Sequence, residues 1–86
     1  MTKKEQTWSL KEVDNARGVV KGTTFKAFKQ LREGFDEGRD YFYLSGDQDS
    51  VEIETLRSKS RIYEGTVNAI LLTESGYAAI MEYLDD

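Results

Sequence analysis

The sequence predicts a small α+β domain with a two- or three-stranded antiparallel sheet. Along the chain, helices come both before and after the strands of this sheet. Three observations indicate this class. Apolar residues recur at helical spacing in two early segments and in one late segment. Two short runs rich in aromatic and aliphatic residues favour strands. A chain of 86 residues suffices for one core and is too short for two. Residues 1–86 are therefore expected to form one domain, with 1–8 as a flexible N-terminal arm.

The first predicted helix spans about residues 10–17. Ser9 and Glu12 have the spacing of a capping box at its start, and Gly18 suits the left-handed residue that ends a helix. Leu10 and Val13 are expected to face the core.

The second predicted helix begins after a cap at Thr23 or Thr24 and continues to about Glu33. At about 100° per residue, Phe25, Phe28 and Leu31 fall on one side and predict a core stripe. The opposite side would then be polar and cationic. It would hold Thr23, Lys26, Ala27 and Gln30, with Lys29 and Arg32 on its flanks.

Two strands and two more helices are expected in the rest of the chain. The aromatic run at residues 40–44 favours one strand, and residues 67–72 favour a second strand that pairs with 41–44. Between them, a turn at 45–48 precedes Asp49 and Glu52, which have the spacing of another capping box, and the helix they open should end by residues 58–61. Thr73 should cap a last helix, whose predicted core face is Tyr77, Ile80, Met81 and Leu84.

Charge is divided unevenly along the chain. Residues 1–32 hold eight basic and three acidic side chains, a net charge of +5, whereas the remaining 54 residues carry −9. Salt screens charges beyond roughly 8–10 Å, so that a phosphate backbone senses the local basic surface more than the total of −4. The alternative is a solvated basic face without a ligand.

Catalysis and metal binding have little support in the sequence. The chain contains no histidine and no cysteine, which removes the commonest general base, the thiol nucleophile and the usual transition-metal ligands. Asp47, Asp49, Glu52 and Glu54 do not have the spacing of a calcium loop and are interpreted as turn and capping carboxylates. No enzyme activity, cofactor or metal is expected. The absence of cysteine, of a signal peptide and of a long apolar segment predicts a cytoplasmic protein without a membrane partner.

Two short helices followed by a strand pair with a long polar excursion are the order of a winged helix-turn-helix. In that architecture the second helix enters the major groove of DNA. Lysine can then pair with guanine and glutamine with adenine, while threonine can serve a base or a phosphate. The candidate DNA contacts on or before this helix are Lys21, Thr23, Thr24, Lys26, Lys29, Gln30 and Arg32. The alternative is an ordinary solvated helix face.

Arg57, Lys59 and Arg61 form a basic island within the acidic part of the chain. In the winged interpretation they fall in the excursion between the two strands and would contact phosphates or a minor groove. The alternative is a flexible, solvated loop.

Two sequence blocks carry a resemblance to a known family. The first is Glu33–Phe42, matching a "F…EG-x-DYF" form, and the second is Leu71–Tyr77, matching an "LTESGY" form. With the "L-x-x-V/I-D" opening met by Leu10, Val13 and Asp14, the chain resembles the ORF6N/KilA-N-type DNA-binding domains of phage regulators and antirepressors from about residue 9 to residue 86. The resemblance implies binding to double-stranded DNA and transcription regulation. The alternative is a protein-binding, antirepressor-like module that engages a regulatory partner through its acidic C-terminal half and dimerises through its last helix.

Overall fold

The computed structural model describes residues 6–85 and confirms a small α+β fold with a three-stranded antiparallel sheet. Its elements, in chain order, are β1 (Trp8–Ser9), α1 (Leu10–Arg17), α2 (Thr23–Leu31), a 3-10 turn (Arg32–Gly34), β2 (Tyr41–Leu44), α3 (Ser50–Ser58), β3 (Ala69–Leu72) and α4 (Glu74–Asp85).

The sheet has the strand order β1-β3-β2, with β3 in the centre. Tyr41 of β2 pairs with Leu72 of β3, and Leu44 pairs with Ala69. This confirms the predicted pairing, although β3 is two residues shorter at its start than the predicted 67–72. A third strand was allowed by the prediction, but its position at β1 was not predicted, because two residues are too few to show the alternation that identifies a strand.

Each face of the sheet covers a separate apolar cluster. Side chains alternate along a strand, so that Tyr41 and Leu72 face α1, α2 and α4, whereas Leu44 and Ala69 face α3. The cluster on the first face is centred on Val13, Ala27, Phe28, Leu72 and Ile80. The cluster on the second face contains Ile53, Leu56, Ile62 and Ala69. The long connection between β2 and β3 thus contains α3, which forms a second helical layer. As a result, α2 and α3 lie on opposite faces of the sheet.

The start of α1 follows the prediction closely. Glu12 N donates to Ser9 Oγ at 3.1 Å and Ser9 N donates to Glu12 Oε1 at 2.8 Å, and Gly18 ends the helix at φ 67°. The expectation of a flexible arm as far as residue 8 is wrong at its end. Trp8 belongs to β1, and its ring stacks on Tyr77 of α4 with centroids 4.2 Å apart. Residues 1–5 lie outside the described part of the chain.

Two predicted helix caps are wrong. The residue before α2 is Gly22, at φ 94° and without a side-chain cap, and α2 ends at Leu31, with a 3-10 turn up to Gly34. Asp49 precedes α3 but makes no capping bond to it. Its carboxylate instead accepts a hydrogen bond from Ser45 N at 2.9 Å and closes the preceding turn.

The two sequence blocks contact each other between β2 and α4. Thr73 Oγ1 donates to the carbonyl oxygen of Arg39 at 2.6 Å, and Ser75 Oγ donates to Asp40 Oδ1, also at 2.6 Å. Thr73 N donates to the carbonyl oxygen of Asp40 at 3.0 Å. The Thr-x-Ser-Gly sequence of the second block therefore fixes the start of α4 to the loop that enters β2.

Candidate nucleic-acid interface

The exposed face of α2 is rotated about the helix axis by roughly half a residue, about 50°, from the predicted one. The buried stripe is Thr24, Ala27, Phe28 and the half-buried Leu31, which share one side of a helix at spacings of three and four. Phe25 is 44% exposed. The predictions that Phe25 lies in the core and that Ala27 faces outward are wrong. The small side chain of Ala27 suits the contact between α2 and α4.

The N-terminus of α2 is fixed by a carboxylate from α1. Asp14 Oδ1 accepts hydrogen bonds from Thr24 N at 2.9 Å and Thr24 Oγ1 at 2.7 Å, while Asp14 Oδ2 accepts from Gly22 N at 3.0 Å and from the Tyr63 hydroxyl at 2.6 Å. Thr24 is fully buried in this network. It is thereby removed from the candidate DNA contacts.

This network sets the charge state of its two titratable members. Burial by itself raises the pKa of Asp14, but the hydrogen bonds from Tyr63, Thr24 and Gly22 outweigh it and hold the pKa below its ordinary value of 3.8. Burial and the bond to Asp14 raise the pKa of Tyr63 to about 12. The negative carboxylate at the start of α2 also interacts favourably with the positive end of the helix dipole. The α1–α2 pair is therefore held in one arrangement by a charged cap.

The remaining candidates on α2 lie together on its outer side. Lys26, Lys29 and Gln30 are exposed, Thr23 at the helix start is half-buried, and Arg32 directly after the helix is exposed. Lys29 Nζ lies 5.0 Å from the centroid of the Phe25 ring. No acidic residue belongs to α2. The predicted cationic stripe therefore exists without Thr24 and Ala27 and with Phe25 added.

Ion pairing separates the basic residues of the described chain into two groups. Within residues 6–85, salt bridges join Arg17 to Asp85, Arg39 to Asp36 and Asp40, Arg57 to Glu54, and Arg61 to Glu12. Over the same residues, no salt bridge involves the cations of the α2 surface. These are Lys21, Lys26, Lys29 and Arg32. Their charge is consequently available to an external anion.

The predicted basic island does not form a common surface. Arg57 lies in α3, where it is paired with Glu54 and donates to the carbonyl oxygens of Glu64 and Thr66. Arg61 donates to both carboxylate oxygens of Glu12, at 2.9 and 3.0 Å, and to the carbonyl oxygen of Thr7. The alternative of a flexible, solvated loop is wrong for Arg57, which belongs to α3, and the predicted phosphate contacts find both arginines already paired with carboxylates.

Glu12 shows the electrostatic effect of this pairing. Burial alone raises the pKa of Glu12, but the hydrogen bonds from Arg61 and Ser9 outweigh it and lower the pKa. Arg61 thus supports the capping box of α1. Of the three residues in the basic island, Lys59 alone is exposed and outside the salt bridges of residues 6–85.

Sequence reasoning missed an aromatic component of the surface. Phe25 and Tyr43, each close to half exposed, line a groove between α2 and the sheet together with Lys29, Arg32 and Ile70. Strand alternation already places Tyr43 on the same sheet face as Tyr41. The sequence does not show that α2 covers this face of the sheet only in part, which leaves Tyr43 exposed.

No group of three acidic side chains in residues 6–85 is arranged to hold a metal ion. No helix within that range combines the length and the apolar character needed to cross a membrane.

Comparison with known proteins adds no relative. No protein-family model, no curated protein and no solved structure matches this chain.

Proposed function

We propose that this chain is a sequence-specific DNA-binding module of a phage or mobile-element regulator, with α2 as its recognition helix. The observation that carries the proposal is the outer side of α2. It presents Lys26, Lys29 and Gln30, followed by Arg32, with no acidic residue in the helix and no salt bridge to these cations within residues 6–85. A surface of this kind attracts phosphates and can also present donors to base edges.

The chain order supports the finer description of the fold as a winged helix-turn-helix. Two short helices, α1 and α2, are followed by antiparallel strands β2 and β3. In a helix-turn-helix the first helix crosses the DNA backbone and the second lies in the major groove. The wing would be the β2–β3 unit, with α3 in the position of a simple wing loop.

The two sequence blocks support the narrower proposal of an ORF6N/KilA-N-type domain. They occur in the order seen in that family, and residues 39–40 of the first block contact Thr73 and Ser75 of the second. Their role in this proposal is structural, since they fix α4 to the loop before β2 and contribute no side chain to the outer side of α2.

The proposed roles follow from chemistry and position. Lys26 and Gln30 would read base edges, because lysine donates to guanine and glutamine pairs bidentately with adenine. Lys21, Lys29 and Arg32 would contact phosphates and fix the register. Thr23 at the helix start would donate to a phosphate or a base. Lys59 is the member of the basic island with a free charge for a more distant phosphate.

The experiment begins with selection of a bound sequence from random duplexes, followed by titrations at several salt concentrations. Lys26→Ala and Gln30→Ala should each weaken binding to the selected site by about 1–3 kcal/mol without affecting folding. Lys29→Ala and Arg32→Ala should weaken binding to selected and random DNA alike, and each should reduce the slope of log affinity against log salt by about 0.9. Gln48→Ala, another exposed glutamine, is the matched control. Unchanged titrations for all four variants would exclude α2 from the interface.

A protein-binding, antirepressor-like module is the second candidate. Its supporting observation is apolar exposure within the acidic half of the chain, where Val51 is 74% and Val67 is 69% exposed. Such a surface would suit a partner that combines apolar and basic groups. This candidate predicts that duplex DNA is not bound in a salt-dependent manner and that Val51→Asp impairs capture of the partner. A dimer formed through α4 remains a prediction of this second candidate.

A further inference from the structure

A half-open cavity of about 270 Å³ lies beside the α1–α2 turn and is bounded by Phe25, at the edge of the exposed surface of α2. Its walls are mainly apolar and come from α1, α2, the segment before β3, and β3. The apolar wall residues are Leu10, Phe25, Ile62, Ala69 and Ile70. A dry cavity of about 150 Å³ can hold benzene, so this one has room for a body of one or two fused rings.

Two lysines and a tyrosine lie together among the polar residues that line the cavity, which also include Thr66 and Asn68. Lys21 Nζ lies 4.8 Å and Lys11 Nζ 5.7 Å from the centroid of the Tyr63 ring. Neither lysine forms a salt bridge within residues 6–85. The Tyr63 hydroxyl is bound to Asp14, so the ring has a fixed position between cavity and helix start.

Among residues 6–85, Asp14 is the one acidic residue that lines this cavity. Its side chain is 1% exposed, and its two oxygens already accept four hydrogen bonds from Gly22, Thr24 and Tyr63. It therefore offers no free acceptor to a ligand. The side chains of Lys11, Lys21 and Asp14 together give the cavity a net charge of +1. The two lysine ammonium groups are available to an anion.

We propose that this cavity binds a small aromatic carboxylate. The ring system would lie against Ile62 and Ile70, and the carboxylate would be held by Lys11 and Lys21. Apolar walls supply the contact area, and a few placed charges supply the orientation, which is the usual division of roles in a small-molecule site. This proposal does not rest on DNA binding, because the cavity residues that it uses are all present in the free chain.

The test uses two probes of similar size and opposite charge, 2-naphthoate and 2-naphthylmethylammonium, titrated into the full chain without DNA. Amide resonances of the isotope-labelled protein report the site. Naphthoate should shift the amides of Gly22, Thr24 and Ile70 in a saturable manner. The cationic probe should bind at least about tenfold more weakly, because the ammonium groups that attract one probe repel the other.

Paired variants locate the anion contact. Lys11→Gln combined with Lys21→Gln should weaken naphthoate binding by about three- to tenfold. The matched control, Lys26→Gln combined with Lys59→Gln, removes the same charge outside the cavity and should bind naphthoate as the parent chain does. Equal affinities for the two probes, an equal loss in the control, or shifts that do not saturate at the cavity would each overturn the proposal. Failure of DNA binding in the α2 experiment would leave these outcomes unaffected.

Discussion

Gly76, in the first turn of α4, packs directly against the backbone of Asp40. A Cβ atom at position 76 would overlap the carbonyl oxygen of Asp40 and would lie 3.0 Å from its carbonyl carbon. The same carbonyl oxygen accepts a hydrogen bond from Thr73 N. The approach of α4 to the loop before β2 therefore depends on a residue without a side chain, and this contact joins the two sequence blocks.

Gly76→Ala should consequently destabilise the fold. The added methyl group meets backbone, which cannot move aside as a flexible side chain can, so that we expect a loss of about 2 kcal/mol or more in the free energy of unfolding. Urea denaturation measures it. Gly65→Ala is the control, because a Cβ atom at position 65 would meet nothing within 4 Å and Gly65 does not have a positive φ. Equal stability of the two variants would show that α4 does not lie this close to Asp40.

Asp40 gives the fold a dependence on acid pH. The hydrogen bonds from Arg39, Ser75 and the Asp36 backbone lower the pKa of this buried carboxyl from its ordinary value of 3.8 to about 2. A carboxyl whose pKa is lower in the folded state contributes stability above its unfolded pKa, and this contribution is lost as the pH falls through the folded pKa. Stability should therefore decrease between about pH 4 and pH 2.

Asp40→Asn provides the comparison for that pH dependence. The variant should be less stable than the parent chain at pH 6, and the difference should narrow as the pH approaches 2, because the parent loses its ionised carboxylate there. Denaturant midpoints at several pH values measure the difference. A gap that stays constant from pH 6 to pH 2 would show that ionisation of Asp40 does not contribute to stability.

Phe28 and Phe25 test the helical phase of α2. Phe28 is 2% exposed and contacts Tyr41 edge-on with ring centroids 5.0 Å apart, whereas Phe25 is 44% exposed. Phe28→Ala should cost about 3–5 kcal/mol through lost burial and a cavity. Phe25→Ala should cost less than about 1 kcal/mol, since surface substitutions have small effects. Thermal unfolding of both variants measures these losses. A loss of stability for Phe25→Ala as large as that for Phe28→Ala would support the helical phase predicted from the sequence.

The same two residues show how far the sequence could predict α2. Hydrophobic periodicity located the helix and placed Phe28 correctly, because large apolar residues usually lie inside. It could not show that Thr24 is buried, since the reason is a carboxylate ten residues earlier that accepts both of its hydrogen bonds. Nor could it show that Ala27 faces α4, because that depends on how closely two helices pack.

The candidate surface was predictable to the extent that it depends on local sequence. Lys26 and Gln30 are outward because helix geometry alone puts them opposite Phe28, and Lys29 lies on the flank of the same surface. The basic island was not predictable in this way. Whether the charge of Arg61 is available depends on its contact with Glu12, 49 residues earlier. That contact forms in the folded chain, in which β1 pairs with β3. Long-range ion pairs decide which cations remain available, and a single sequence does not contain that information.

Arg61 and Lys59 should therefore behave differently when they are substituted. Arg61→Ala removes the bonds to Glu12 and Thr7 and should lower the free energy of unfolding by about 1–2 kcal/mol, a charge-assisted contribution reduced by partial exposure. Lys59→Ala, which removes an exposed side chain, should leave stability within about 0.5 kcal/mol of the parent. Equilibrium denaturation of both variants measures the difference.

In the DNA titrations, replacement of Lys59 should have a larger effect than replacement of Arg61, which is the reverse of their order in stability. Arg57 and Arg61 already neutralise carboxylates in the folded protein, so their replacement should change the salt dependence of DNA binding little. Lys59 has no such partner in residues 6–85, and its replacement should reduce the slope of log affinity against log salt by up to about 0.9 if the β2–β3 unit contacts a phosphate. A decrease near three times that value in the Arg57, Lys59 and Arg61 triple variant, with folding retained, would mean that both arginines leave their carboxylates to bind DNA.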